Sequence, residues 1–117
     1  ITETVFSHPS KLDLLDDAVG RGYLVHLHVV MVPLELTVQR VKERVRDGGH
    51  AVPEEKIRGR YQRLWDLVAE GIEAAHFATV YDNSRAATPF RIVATYQNGI
   101  LTDHPDWPRW APPNLME

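Results

Sequence analysis

Cysteine is absent from this 117-residue chain, which removes disulfides, thiolate metal sites and cysteine nucleophiles from consideration. A cysteine-free chain fits a reducing compartment, and the cytoplasm is the expected location. Long hydrophobic runs are also missing. The longest, from Leu24 to Leu34, is interrupted by His26, His28 and Pro33. It is far too short to span a bilayer, which needs roughly 20 apolar residues, and no leader peptide is recognisable. Nor is there an excess of positive charge. The 13 Lys+Arg against 16 Asp+Glu give a formal net charge of -3 and a pI near 6.1. Neither nucleic acid nor a membrane is therefore an expected partner, and any phosphate chemistry has to rest on local arginines.

What is present is the composition of one soluble globular domain, 44% hydrophobic and 25% charged. The run at residues 2–6 is β-prone, and Ser7-His8-Pro9-Ser10 is a helix entry leading into a helix that ends at Gly20 and Gly22. From Tyr23 to Val32 the chain is rich in β-branched residues and bounded by Gly22 and Pro33. That pattern predicts a strand buried on both faces in a parallel sheet. Pro33 opens a second helix with the stripe Leu34, Val38, Val41 and Val45, broken by Gly48-Gly49. Pro53-Glu54-Glu55 starts a third, running to about Ala75 on Ile57, Tyr61, Leu64, Val68 and Ile72. Phe77 to Tyr81 reads as another strand, and Gln97-Asn98-Gly99 as the turn of a C-terminal β-hairpin. The tail, 103–117, is rich in proline and tryptophan and is expected to be irregular. Strands alternating with helices imply an α/β fold with a mostly parallel sheet and flanking helices.

The chemistry-bearing residues cluster around the Gly-Gly break. Arg40 and Arg44 lie one turn apart beside the stripe of the second helix, and Arg58 and Arg60 flank the stripe of the third. A hinge between the helices would let both bury their stripes while presenting guanidinium groups, planar and bidentate toward phosphate, to a common cleft. A mobile arginine-bearing hairpin of this kind, over about 44–62, is what closes over a triphosphate. The alternative is a solvated face on which the arginines meet Glu43, Asp47, Glu54 and Glu55. Asp82-Asn83-Ser84 after a strand is also ordinary turn chemistry. His26 and His28 are two apart on a strand and share a face, which suits a metal pair, but no third ligand is obvious and no metal site is expected. Trp107 and Trp110 either dock a partner or pack against their own domain.

Taken in order, Glu3-Thr4, Gly22-Tyr23 with its strand, Pro33, Arg40-Val41 with Arg44-Val45, Gly48-Gly49-His50, Val52-Pro53 and Tyr81-Asp82-Asn83-Ser84 resemble the zeta-toxin-like P-loop kinases of bacteria over about 1–101. The resemblance implies that residues 1–102 are the C-terminal portion of such a kinase domain, a partial P-loop fold, acting with ATP and Mg²⁺ on a small-molecule acceptor. In some members that acceptor is a UDP-activated amino sugar. It implies that Glu3, with Thr4, contacts the acceptor. Arg44 and Arg58 or Arg60 would act on the transferred phosphate. Arg40 and Asp82-Asn83-Ser84 would lie near the nucleotide. Two departures, His50 where the toxins have an arginine and Val5 where they have a threonine, bear on the sugar substrate more than on the kinase class.

No G-x-x-x-x-G-K-[ST] motif occurs in these residues, although its backbone N–H groups, lysine and hydroxyl are what hold the phosphates and Mg²⁺. The chain opens with Ile1-Thr-Glu-Thr-Val-Phe. The expectation is therefore a fragment that is not competent alone. In the family's strand order the phosphate-loop strand lies between 2–6 and 23–32, so its loss would expose two strand edges and leave the chain marginal or aggregation-prone, or let those two strands pair directly. The alternative is a non-catalytic interaction module derived from such a kinase, binding an antitoxin-like protein through its Trp-Pro tail.

Overall fold

The computed structural model describes residues 9–49 and 53–116. The expected strand at 2–6, with Glu3, Thr4 and Val5, lies outside them, as does His50. The elements run α1 (Ser10–Gly20), β1 (His26–Met31), α2 (Leu34–Arg46), α3 (Glu54–Ala74), β2 (Phe77–Asp82), β3 (Arg91–Gln97), β4 (Ile100–Leu101) and α4 (Pro113–Met116). Among the described residues no helix is long and apolar enough to cross a membrane.

The four strands form one sheet in the order β1-β2-β3-β4. β1 and β2 are parallel, with His26 opposite Phe77 and Met31 opposite Asp82, and α2 and α3 together form the crossover that a parallel pair requires. β2–β3 and β3–β4 are antiparallel. The fold is α/β as expected, but the sheet is mixed rather than mostly parallel. The reason is local: the connections after β2 and β3 are too short to hold a crossover helix, so each strand turns back on its neighbour. The β3–β4 turn is the predicted one. Asn98 and Gly99 both have positive φ, 51° and 80°, the backbone that a two-residue hairpin with right-handed twist needs.

The core lies between one face of the sheet and the helices. Val29, Met31, Ala78, Val80 and Val93 meet Leu15 of α1 and Trp65, Val68 and Ile72 of α3, and Met31 and Val80 are fully enclosed. Trp65, outside the predicted stripe, is the bulkiest residue that α3 buries. Among the described residues, no element covers the other face of β1. His26, His28 and Val30 are exposed and only Val29 and Met31 are buried. The strand therefore alternates, as a half-solvated strand does, instead of being buried on both faces. Tyr23 and Leu24, predicted as part of it, precede it and are exposed.

The tail is less irregular than its proline content suggests. It returns to α3 and ends in the short helix α4, with Ala111 and Leu115 buried and Trp107 and Trp110 packed against the core. Both tryptophans pack on their own domain while remaining half-buried.

Candidate functional site

In open α/β sheets ligands bind beyond the carboxyl ends of the parallel strands. Here those ends are Met31-Val32 and Asp82, and three of the elements carrying predicted site residues converge there. α2 begins two residues after Val32, its first turn following Pro33 in extended conformation. α3 is fastened to the same point, because the Tyr61 hydroxyl donates to the Val32 carbonyl at 2.7 Å. Burial pushes the Tyr61 phenol up, although the neighbouring Trp65 indole works slightly the other way. The two rings meet edge to face at 5.6 Å, while the indole N–H is buried without a well-formed hydrogen bond.

Arg58, one turn before Tyr61, is held at this junction. Its guanidinium donates to both carboxylate oxygens of Glu35 on α2, at 2.8 and 3.2 Å, and stands 3.7 Å from Glu54 on its own helix. Glu54 in turn pairs with Lys42 of α2 at 3.2 Å. The hydrogen bonds from Arg58 hold Glu35 below the usual carboxylate range, and the same bonds raise Arg58. The α2–α3 hairpin is thus laced by two exposed ion pairs across a buried apolar seam that includes Val38 and Ile57. Glu35 and Lys42 are seven residues apart, so they share a helix face. Sequence reasoning singled out neither. The signal was an acid in the first turn of α2, facing a lysine two turns on.

The other arginines are placed differently. Arg40 and Arg44 lie about 140–180° round α2 from Glu35, and Arg60 about 200° round α3 from Arg58. All three are exposed, with no ion-pair partner among the described residues. The structure therefore does not gather the four guanidiniums into one cleft: Arg58 faces the helix junction, and the other three face away from it. Arg44 does sit at the hinge. The Gly49 N–H bonds its carbonyl at 2.8 Å, and Gly48 takes φ 98°, a backbone that a side chain rarely tolerates. Beside the junction lies an open cleft of about 500 Å³, walled by Glu35, Tyr61, Trp65, Trp110 and Pro112, within the size range of small-molecule sites.

Asp82-Asn83-Ser84 ends β2. The Asn83 N–H donates to the Met31 carbonyl at 2.9 Å, tying the two parallel strand ends together, and its Oδ1 accepts from the Phe90 N–H at 3.2 Å. Asp82 is buried. Its Oδ1 accepts the Ser84 N–H at 2.9 Å and its Oδ2 the Arg91 guanidinium at 3.1 Å. Arg91 also reaches Asp106 of the tail at 2.5 Å. Burial alone would push the Asp82 carboxyl up, but the bonds from Ser84 and Arg91 outweigh it and hold the group below its ordinary value. Both oxygens are committed within the fold, so the carboxylate fixes the loop after β2. The partners Arg91 and Asp106 were not anticipated from sequence.

Comparison with curated proteins and with solved structures returns no match. A family model described as zeta toxin matches residues 1–93, a span that includes the α2–α3 hairpin and the strand-end loop at Asp82. The chain belongs to the zeta toxin family.

Proposed function

We propose that the chain supplies the lid and acceptor side of an ATP-dependent small-molecule kinase. The observation that carries this reading, beside the family, is the two-oxygen grip of Arg58 on Glu35 at the carboxyl end of β1. A guanidinium aligned to a planar pair of carboxylate oxygens is aligned equally well for two phosphate oxygens. ATP would supply the phosphoryl group and Mg²⁺ would neutralise charge on its phosphates.

On this reading Arg58 is the lid arginine that meets transferred phosphate, and Arg44 orients the hinge side of the lid. Arg60 and Arg40 serve the periphery. Asn83 and Ser84 would line the nucleotide side of the loop, with Asp82 as the residue that positions them. Glu3 and Thr4 are proposed to contact the acceptor, for which a UDP-activated amino sugar is the first candidate. These residues contain no phosphate-binding loop motif, so the chain is proposed to act only together with one. An antitoxin-like partner and a cytoplasmic site of action belong to the same proposal.

The test is phosphoryl transfer from ATP by the protein expressed from its complete reading frame, with UDP-amino sugars among the acceptors. Arg58→Glu is expected to lower turnover by about 1000-fold, in line with the roughly 10³–10⁵ that a phosphate-directed arginine supplies. Arg60→Glu should leave it near wild type. Undiminished transfer in both Arg58→Glu and Arg44→Glu would remove the lid assignment. Absence of transfer to any acceptor would remove the kinase reading.

A further inference from the structure

The open cleft beside the helix junction has walls that suit a different ligand from phosphate. Glu35 of α2, Tyr61, Trp65 and Asp66 of α3, and Trp110 and Pro112 of the tail line it. Three of these are aromatic and two are carboxylates, while no lysine or arginine among the described residues lines it. Trp65 is buried, Tyr61 and Trp110 are half-buried, and Glu35 and Asp66 are exposed. Neither carboxylate is fully committed. Asp66 Oδ1 accepts from Asn114 Nδ2, which leaves Oδ2 without a partner among the described residues. Both Glu35 oxygens accept from Arg58, but that pair is exposed, and such pairs exchange at little cost. One wall belongs to the tail, beyond the residues 1–93 that the family model matches, and no residue of β1 takes part.

We infer that this cleft binds a small organic amine in its ammonium form. The charged head is held by Glu35 and Asp66, and the apolar body lies against Trp110 and Pro112. Three features carry this. The negative faces of aromatic rings attract a cation. A concave site lined by one sign of charge concentrates the opposite sign. The volume of about 500 Å³ is that of a small-molecule site. The same lining disfavours phosphate and carboxylate ligands, which sets the cleft apart from the anion chemistry of Arg58.

Glu35 is shared between the cleft and the Arg58 junction. An ammonium group bonded to the Glu35 carboxylate competes with Arg58 for the same two oxygens, so binding the amine and releasing the guanidinium are linked. The linkage is reciprocal: whatever draws Arg58 away strengthens the amine site. This coupling has a catalytic meaning only if Arg58 is the lid arginine, and to that extent it rests on the kinase reading. The binding itself does not.

The experiment is a titration with phenethylammonium, phenethyl alcohol and phenylacetate at low salt, read by calorimetry and ¹⁵N–¹H spectra. The three probes share a phenyl ring and differ in charge. The amine is expected to bind at least about tenfold more tightly than the alcohol, and phenylacetate more weakly than either. Shifts should centre on the Trp110 indole N–H and on the amides of Glu35 and Asp66. Glu35→Gln and Asp66→Asn remove charge at nearly constant shape, and each should weaken the amine by about threefold to fivefold. Arg58→Gln removes the competitor and should tighten it by a similar factor of about threefold to fivefold, while Arg60→Gln, on the far side of α3, should leave it unchanged. No binding of the amine, equal binding of the alcohol or phenylacetate, shifts centred elsewhere, or unaltered affinity in both carboxylate variants would each overturn the site. Unaltered affinity in Arg58→Gln would overturn the coupling. None of these readings requires phosphoryl transfer, so failure of the kinase assay would leave them standing.

Discussion

Replacing Asp82 with alanine tests whether this residue holds the strand-end loop or waits for a ligand. The carboxylate accepts two hydrogen bonds, from the Ser84 N–H at 2.9 Å and from Arg91 at 3.1 Å. A hydrogen bond to a charged group contributes about 1.5–3 kcal/mol. The Arg91 bond belongs at or below the low end of that range, because its guanidinium is 36% exposed and keeps Asp106 as a second partner. The sum is about 2–3 kcal/mol, a large share of the stability of an ordinary domain. With a urea m-value of about 2 kcal/mol/M, the midpoint should fall by about 1–1.5 M. Fluorescence of Trp65, buried in the core, reports the transition.

The pH dependence separates this account from simple loss of packing. The folded-state pKa of Asp82 is depressed, so its contribution is fully present above the unfolded value of about 3.9 and is lost as pH falls through the lower folded value. The gap between wild type and Asp82→Ala should be complete at about pH 7 and smaller at about pH 2.5, because it narrows as the pH falls below the unfolded value. A gap of the same size at both pH values would refute the reasoning, since a cavity does not titrate.

Tyr61→Phe removes the donor to the half-buried Val32 carbonyl just after β1; a loss of about 1 kcal/mol is expected in urea unfolding. Gly49→Ala addresses the hinge. An added Cβ would lie 2.9 Å from the Arg44 carbonyl oxygen, closer than real Cβ contacts, so the backbone has to shift. Amide shifts spreading along 44–49 are expected, while Gly20→Ala, whose Cβ meets nothing within 4 Å, should leave its surroundings unmoved.

The parts legible in the sequence are those set by short-range periodicity and punctuation. Gly20 and Gly22, Pro33, Gly48-Gly49 and Pro53 bound helices whose observed ends fall within a residue or two of the predicted ones, because glycine and proline act on the local backbone. The Asn98-Gly99 turn was readable for the same reason. What escaped depends on contacts between distant residues. β1 alternates between exposed and buried positions among the described residues, where hydrophobicity alone had suggested burial on both faces; the two histidines at alternate positions were the local sign of that alternation. Glu35–Arg58, 23 residues apart, and Arg91–Asp106 are ion pairs between elements. No local pattern encodes them.

The same distinction explains why Arg58 and Arg60 could not be told apart before the fold was known. Both flank the apolar stripe of α3, so amphipathicity treats them alike. Tyr61 breaks the symmetry, because its hydroxyl fixes the rotation of α3 against the end of β1, and that rotation turns Arg58 toward α2. Glu35 then occupies the place that an anion would take. In the proposed reaction, phosphate would have to displace a carboxylate that is itself 75% exposed and so easily returned to water. An exposed ion pair is weak enough to exchange in this way. A buried one would have locked the lid, because separating it leaves an uncompensated charge. On that proposal the break at Gly48-Gly49, where Gly48 has φ 98°, is where α2 and α3 would part by the small amount that exchange requires. On the proposed reading, the solvent exposure of Glu35 is what would make a resting contact and a phosphate-directed arginine compatible in one side chain.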